Sequence, residues 1–208
     1  LLFTQWGFSQ APPELLIQLP LKIFVKLDDG VHEMLSKDKS TWGFKDVTVQ
    51  LKRLNNSLSV TVKSPGSALH NIQLFWKYEL QSTAKVLSDH WERTYGDVGF
   101  EKASFERKIP WYFIQHDEKL TTCFGVKTGG NTICDWQLGN GKMQLSMDTR
   151  SAGVGVQLGE RTLIAADIVA TKTTGDENAF ATGRRFCGIM CEKPRLPKQP
   201  VYGINDWY

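Results

Sequence analysis

"DVTVQLKRLNNSLSVTVKS", residues 46–64, alternates apolar and polar residues on both sides of Asn55-Asn56. Asn tolerates the left-handed backbone that a two-residue hairpin turn needs. Centred there, the register sets Val49 opposite Val62 and Leu51 opposite Val60, so one face of the hairpin is apolar. "ICDWQLGNGKMQLSM" (133–147) repeats the device around Asn140-Gly141, pairing Leu138 with Met143 and Trp136 with Leu145. "WYFIQHDEKLTTCFGV" (111–126) turns near Asp117-Glu118-Lys119. "NIQLFWKYEL", "AKVLSDHWER" and "RTLIAADIVATK" are three more strand-like runs. Closely spaced turn signals without strand–helix alternation predict a mainly β chain, folded as an antiparallel β-sandwich.

One segment breaks the pattern. "GDENAFATGRRFCGIMCEKPRLP" (175–197) opens with Asp176 and Glu177, sets Phe180, Gly183, Cys187, Met190 and Cys191 on one stripe, and ends at Lys193-Pro194. These are the signals of one amphipathic helix. "KPRLPKQP" (193–200) follows as a stiff linker. "VYGINDWY" (201–208) mixes β-branched and aromatic residues and reads as the first strand of another domain. The expected organisation is a sandwich over 1–175, a helix and linker over 176–200, and the start of a further domain over 201–208.

Among 208 residues, 25 basic side chains nearly balance 22 acidic ones, for a net charge of +3. The basic residues are scattered singly, which argues against a nucleic-acid partner. "LLIQLPLKIFVKL" (15–27) is interrupted by Gln18, Pro20 and Lys22, so it does not predict a membrane-crossing helix. No basic-then-apolar leader follows Leu1, and the compartment, cytoplasmic or secreted, stays open. The four cysteines are expected as buried free thiols, with Cys187 and Cys191 on the helix stripe. A hairpin turn at Gly129-Gly130 would set Cys134 opposite Gly125 and Cys123 opposite Trp136, too far apart for an easy bond. No His is spaced as a partner ligand, so neither metal nor cofactor is expected. Trp76, Trp111 and Trp136 alternate with polar neighbours and are expected in the core.

The segment "DHWERTYGDVGFE" (Asp89–Glu101) does not alternate and reads as a polar loop at the sandwich edge. Its core "WERTYGD", the helix "ATGRRFCGIMCEKPRLP" and the tail "PVYGINDWY" together resemble the N-terminal part of the melibiase-type α-galactosidases of glycoside hydrolase family 36. The resemblance implies a galactose-mutarotase-like supersandwich joined, through the helix and linker, to a (β/α)₈ catalytic barrel. It implies that 201–208 is the first barrel strand and that Trp207 lines the sugar subsite. Barrel sites are built at the strands' C-terminal ends. Retaining hydrolysis needs two carboxylates about 5–5.5 Å apart, and the resemblance places both on later barrel strands. No catalytic residue is therefore expected in this chain. Ile204 stands where relatives often carry Trp, which leaves the exact sugar open.

On this basis the chain is expected to be an accessory domain that shapes the rim of an active site and an oligomer interface. Its partners would be a C-terminal barrel of the same polypeptide and an α-galactoside-type carbohydrate, contacted by Trp207, Trp91, Arg93 and Asp97. Two alternatives stand beside it. A free-standing lectin-like sandwich would need exposed coplanar aromatics on one sheet face. A mutarotase-like epimerase would need His90 or His116 and Glu92 in one groove.

Overall fold

The computed structural model describes residues 17–92, 96–118, 120–200 and 202–203. The expected barrel strand at 201–208 lies outside them, apart from Tyr202 and Gly203. In chain order the strands are β1 (Lys22–Leu27), β2 (Gly30–Glu33), β3 (Leu35–Ser36), β4 (Thr41–Phe44), β5 (Val47–Arg53), β6 (Leu58–Lys63), β7 (Asn71–Lys77) and β8 (Lys85–Ser88). After them come β9 (Gly99–Glu101), β10 (Ile109–Pro110), β11 (Tyr112–Asp117), β12 (Leu120–Val126), β13 (Ile133–Gly139), β14 (Lys142–Asp148) and β15 (Leu163–Lys172). One helix, α1 (Ala179–Met190), follows.

The expected hairpins form in the expected register. Val49 faces Val62 and Leu51 faces Val60 across β5 and β6. Leu138 faces Met143 and Trp136 faces Leu145 across β13 and β14. Asn140 and Gly141 both take positive φ, 54° and 73°, which lets the two-residue turn follow the strand twist. Among the described residues the strands form two antiparallel sheets. A six-stranded sheet runs β10-β13-β14-β7-β1-β2, and a nine-stranded sheet runs β3-β4-β5-β6-β15-β12-β11-β8-β9. Their inner faces close on one core, where Val25, Leu74 and Leu145 of the first sheet meet Val49, Val60 and Phe113 of the second. Phe113 packs edge-on against Trp136 across the layers, with centroids 5.6 Å apart.

The middle of the nine-stranded sheet is apolar on its outer face too. Ile114, Cys123 and Val169 form a second buried cluster there with Phe186 of α1. The helix therefore exists to cover this stripe. Asn178 caps it, its side chain accepting from the Ala181 N–H at 2.9 Å. Gly125 makes the close approach possible, since a Cβ there would lie within 3.0 Å of Phe186, Met190 and Tyr112. Arg185 locks the other side. It donates twice to Glu177, at 2.9 and 2.8 Å, and also to Thr171 Oγ1 at 2.6 Å and the Lys172 carbonyl at 2.8 Å.

The buried face of α1 differs from the expected stripe. Thr182, Gly183 and Phe186 are inside, whereas Phe180 is 78% exposed, Cys187 is exposed and Cys191 is half-buried. Small residues face the sheet because the helix lies close to it. Asp176 and Glu177 precede the helix instead of forming its first turn, and it ends before Lys193-Pro194. The Gly129-Gly130 turn does not join a hairpin. Strand β12 pairs with β11 and β15, while β13 pairs with β10 and β14 in the other sheet. Cys123 and Cys134 thus belong to different layers.

Trp111 also departs from expectation, being 42% exposed instead of filling the core. It sits where the chain leaves β10 for β11 and so passes from one sheet to the other. Its φ is +64°, an unfavourable conformation for a bulky side chain, at a cost of roughly 1–3 kcal/mol. Three hydrogen bonds hold it: its N–H donates to Cys134 O at 3.1 Å, and its carbonyl accepts from Val126 N at 3.2 Å and Trp136 Nε1 at 3.1 Å.

The helix-docking contacts generate three expected outcomes. Phe186→Ala should cost roughly 3–5 kcal/mol, read from denaturant unfolding, because it empties a fully buried site. The Arg185 hydrogen bonds hold the Glu177 carboxyl down at about 2, against an ordinary value of 4.5. Its share of stability is then complete above pH 4.5 and lost as pH falls towards 2. The Tm difference between the native chain and Glu177→Gln should accordingly close over that interval; a constant gap would show that the charge does not hold the helix. In native protein, a thiol reagent should modify Cys187 quickly and Cys191 more slowly. Cys123 and Cys134, whose thiols burial pushes up to about 12 and about 11, should react only after unfolding.

Candidate functional site

Beyond β8 the chain leaves the nine-stranded sheet as a loop and returns as β9, which pairs with β8 from Val86–Glu101 to Ser88–Gly99. Trp91 stands in this loop, 42% exposed. Its indole meets that of Trp111 edge-to-face, with centroids 5.8 Å apart and planes at 68°. The strained corner between the sheets thus presents one indole outward, and the loop supplies the other.

His90, next to Trp91 in the chain, belongs to a polar cluster. Arg107 Nη2 stands 2.9 Å from His90 Nε2, and since a guanidinium only donates, the imidazole nitrogen accepts. Arg107 Nη1 also donates to Glu101 Oε2. Arg107 Nε is buried with no hydrogen-bond partner among the described residues. Gly96, at φ +148°, folds against the His90 ring, where a Cβ would come within 2.5 Å of Nε2. A glycine is required at this point, which gives the "Tyr-Gly" of the loop a local physical reason.

Of the sequence-predicted site residues, Trp91 and Asp97 lie in this loop, and Asp97 is exposed. Arg93 and Trp207 lie outside the described residues. Trp111 was expected inside and is instead the partner of Trp91. The signal for it was its position next to Pro110, where a strand can end and the chain can change sheets. The two histidines are not joined in one groove by their contacts: His90 is turned to Arg107, and His116 Nδ1 to Thr121 Oγ1 at 3.0 Å. The exposed indoles are not coplanar, so they form an angled wedge rather than a flat platform. A wedge of two indoles can pack on the C–H groups of a sugar or on another protein surface, while the charged cluster fixes the loop that carries it.

No group of three or more His, Cys, Asp or Glu suited to a metal occurs among the described residues. No helix among them is long and apolar enough to cross a membrane. Comparison with models of protein families, with curated proteins and with solved structures finds no match.

Proposed function

We propose that this chain is a non-catalytic β-sandwich domain of an α-galactosidase-like retaining glycoside hydrolase, with the Trp91–Trp111 wedge turned towards the sugar site of a following barrel. The observation that carries the proposal is that both indoles are 42% exposed although the Trp111 backbone is strained and pinned. An apolar side chain held outward at such a cost has a use outside its own fold. One of the two indoles, Trp91, also lies in the "WERTYGD" segment on which the family resemblance rests.

The arrangement of α1 supports the same reading. The helix is docked firmly on the nine-stranded sheet, and the chain then runs out through the proline-rich stretch 194–200. A stiff segment leaving a fixed helix suits a second domain whose position must be held. Under this proposal the sandwich is of the galactose-mutarotase type, 201–208 is the first barrel strand, and Trp207 with Arg93 completes the sugar-facing set.

The test uses a protein that carries this chain together with a following barrel, assayed on a chromogenic α-galactoside. Trp91→Ala and Trp111→Ala should each lower kcat/KM by an amount typical of a lost stacking contact, on the order of 1–3 kcal/mol by analogy with base–aromatic stacking. Their melting temperatures should change little, and the 208-residue chain alone should show no turnover. Turnover by the isolated chain would overturn the accessory role. Full activity after loss of both indoles would overturn the placement of the wedge.

A further inference from the structure

A second site lies on a different surface, the outer face of the six-stranded sheet. Strands β7, β14 and β13 run side by side there, and their register sets Gln73 beside Ser146 and Ser146 beside Asp135. Asp135 is only 7% exposed although it points away from the apolar core. Asn71 Nδ2 donates to Ser146 Oγ at 2.8 Å, and Ser146 stands opposite Asp135 in the strand pairing. Two acceptors remain with no hydrogen-bond partner among the described residues: Asp135 Oδ1 and Asn71 Oδ1. Buried polar atoms in native proteins are nearly always hydrogen-bonded. Both residues line one cavity of about 160 Å³, and Lys26, Lys108 and Arg150 also border it.

These groups define what would fit. The two orphaned oxygens call for donors, and the lysines offer hydrogen bonds to acceptors. A hydroxyl group does both. A metal cation is disfavoured by the three basic side chains. A phosphate-like anion is disfavoured by Asp135 and by Asp148, whose two oxygens already accept from the Arg150 guanidinium, Nε at 3.0 Å and Nη2 at 2.6 Å. Next to Gln73 across the strand pairing stands Phe24, packed edge-on against Phe75 at 5.3 Å. The two phenyl rings border a separate apolar groove of about 410 Å³, which shares no lining residue with the polar cavity. Two buried acceptor oxygens opening into one cavity, with lysine donors at its border, match the neighbouring hydroxyls of a sugar ring.

We propose that this face binds a neutral hexopyranose in the polar cavity, with neighbouring hydroxyls donating to Asp135 Oδ1 and Asn71 Oδ1. This site is independent of the Trp91–Trp111 wedge and stands whether or not the wedge serves an active site. The sugar would be either a free monosaccharide or a residue of a longer glycan, since both present the same edge.

The experiment titrates the ¹⁵N-labelled chain with D-galactose, D-glucose and melibiose and follows the side-chain amide signals of Asn71 and Gln73. Saturable shifts of both signals with at least one sugar are expected. Response to the monosaccharides identifies the free sugar as sufficient; response to melibiose alone identifies a glycan. Asp135→Leu should weaken binding tenfold or more while leaving Tm equal or higher, because removing an incompletely paired buried carboxylate is often neutral or stabilising. Asp135→Asn, which keeps the side-chain shape, should weaken binding in the same direction and serves if the leucine variant does not fold. Phe180→Ala, an exposed change on α1 at the opposite sheet, should leave the affinity unchanged. The proposal is overturned if none of the sugars shifts these signals, or if the shifts survive in both Asp135 variants. It is equally overturned if only inorganic phosphate or calcium chloride, titrated in the same way, produces them.

Discussion

The apolar stripe on the outer face of the nine-stranded sheet is the constraint from which much of the structure follows. A sheet that packs on one side only can leave its other face wet. Here Ile114, Cys123 and Val169 deny it that option. Something must cover them, and α1 does so with Phe186 and with a tight contact at Gly125. The Arg185–Glu177 pair anchors the start of the helix, while Thr128 N–H donating to Met190 O at 3.0 Å and Lys127 donating to Glu192 at 2.8 Å hold the point where the chain leaves the domain. The proposed second domain depends on that exit being rigid, so a hydrophobic requirement inside the sheet becomes a positional one outside it.

Much of this was legible in the residues, for reasons that differ from element to element. Asn55-Asn56 and Asn140-Gly141 name their own turns, and a turn of known length dictates register. The face of α1 was read correctly at Gly183 and wrongly elsewhere: the stripe through Phe180 and Cys187 looked apolar enough, whereas the buried side turns through Thr182 and Phe186. Gly129-Gly130 resembles a hairpin turn because the local sequence of a sheet-changing connection carries the same residues. Trp111 was assigned inward by alternation, which fails at a corner where the backbone turns left-handed. The Asp135 cluster could not be assembled from sequence at all, since Asn71, Asp135 and Ser146 become neighbours only through the order β7-β14-β13. The one local clue was a carboxylate in the middle of the apolar run "ICDWQL".

The two surfaces are built on different principles. The wedge relies on exposed area and a strained backbone, with its polar neighbours serving as scaffolding. The pocket on the six-stranded sheet relies on buried polar atoms held in place by regular strand pairing. Loops tolerate change and strands resist it, so the first surface can be adapted to a neighbouring domain while the second keeps fixed geometry.

The place of β15 has a consequence for how the chain acquires its shape. It lies between β6 and β12, pairing Val62 with Leu163 on one side and Thr122 with Lys172 on the other. A ribosome delivers β3 to β6 early and β8, β9, β11 and β12 later, but the strand that unites these two half-sheets comes last. Until then β6 and β12 each present an open hydrogen-bonding edge. Such edges invite pairing with other chains, and contacts this distant along the sequence form slowly. The interval before residue 172 emerges is therefore when the nascent chain is most exposed to aggregation. A chaperone able to shield two strand edges at once would be most useful during that interval.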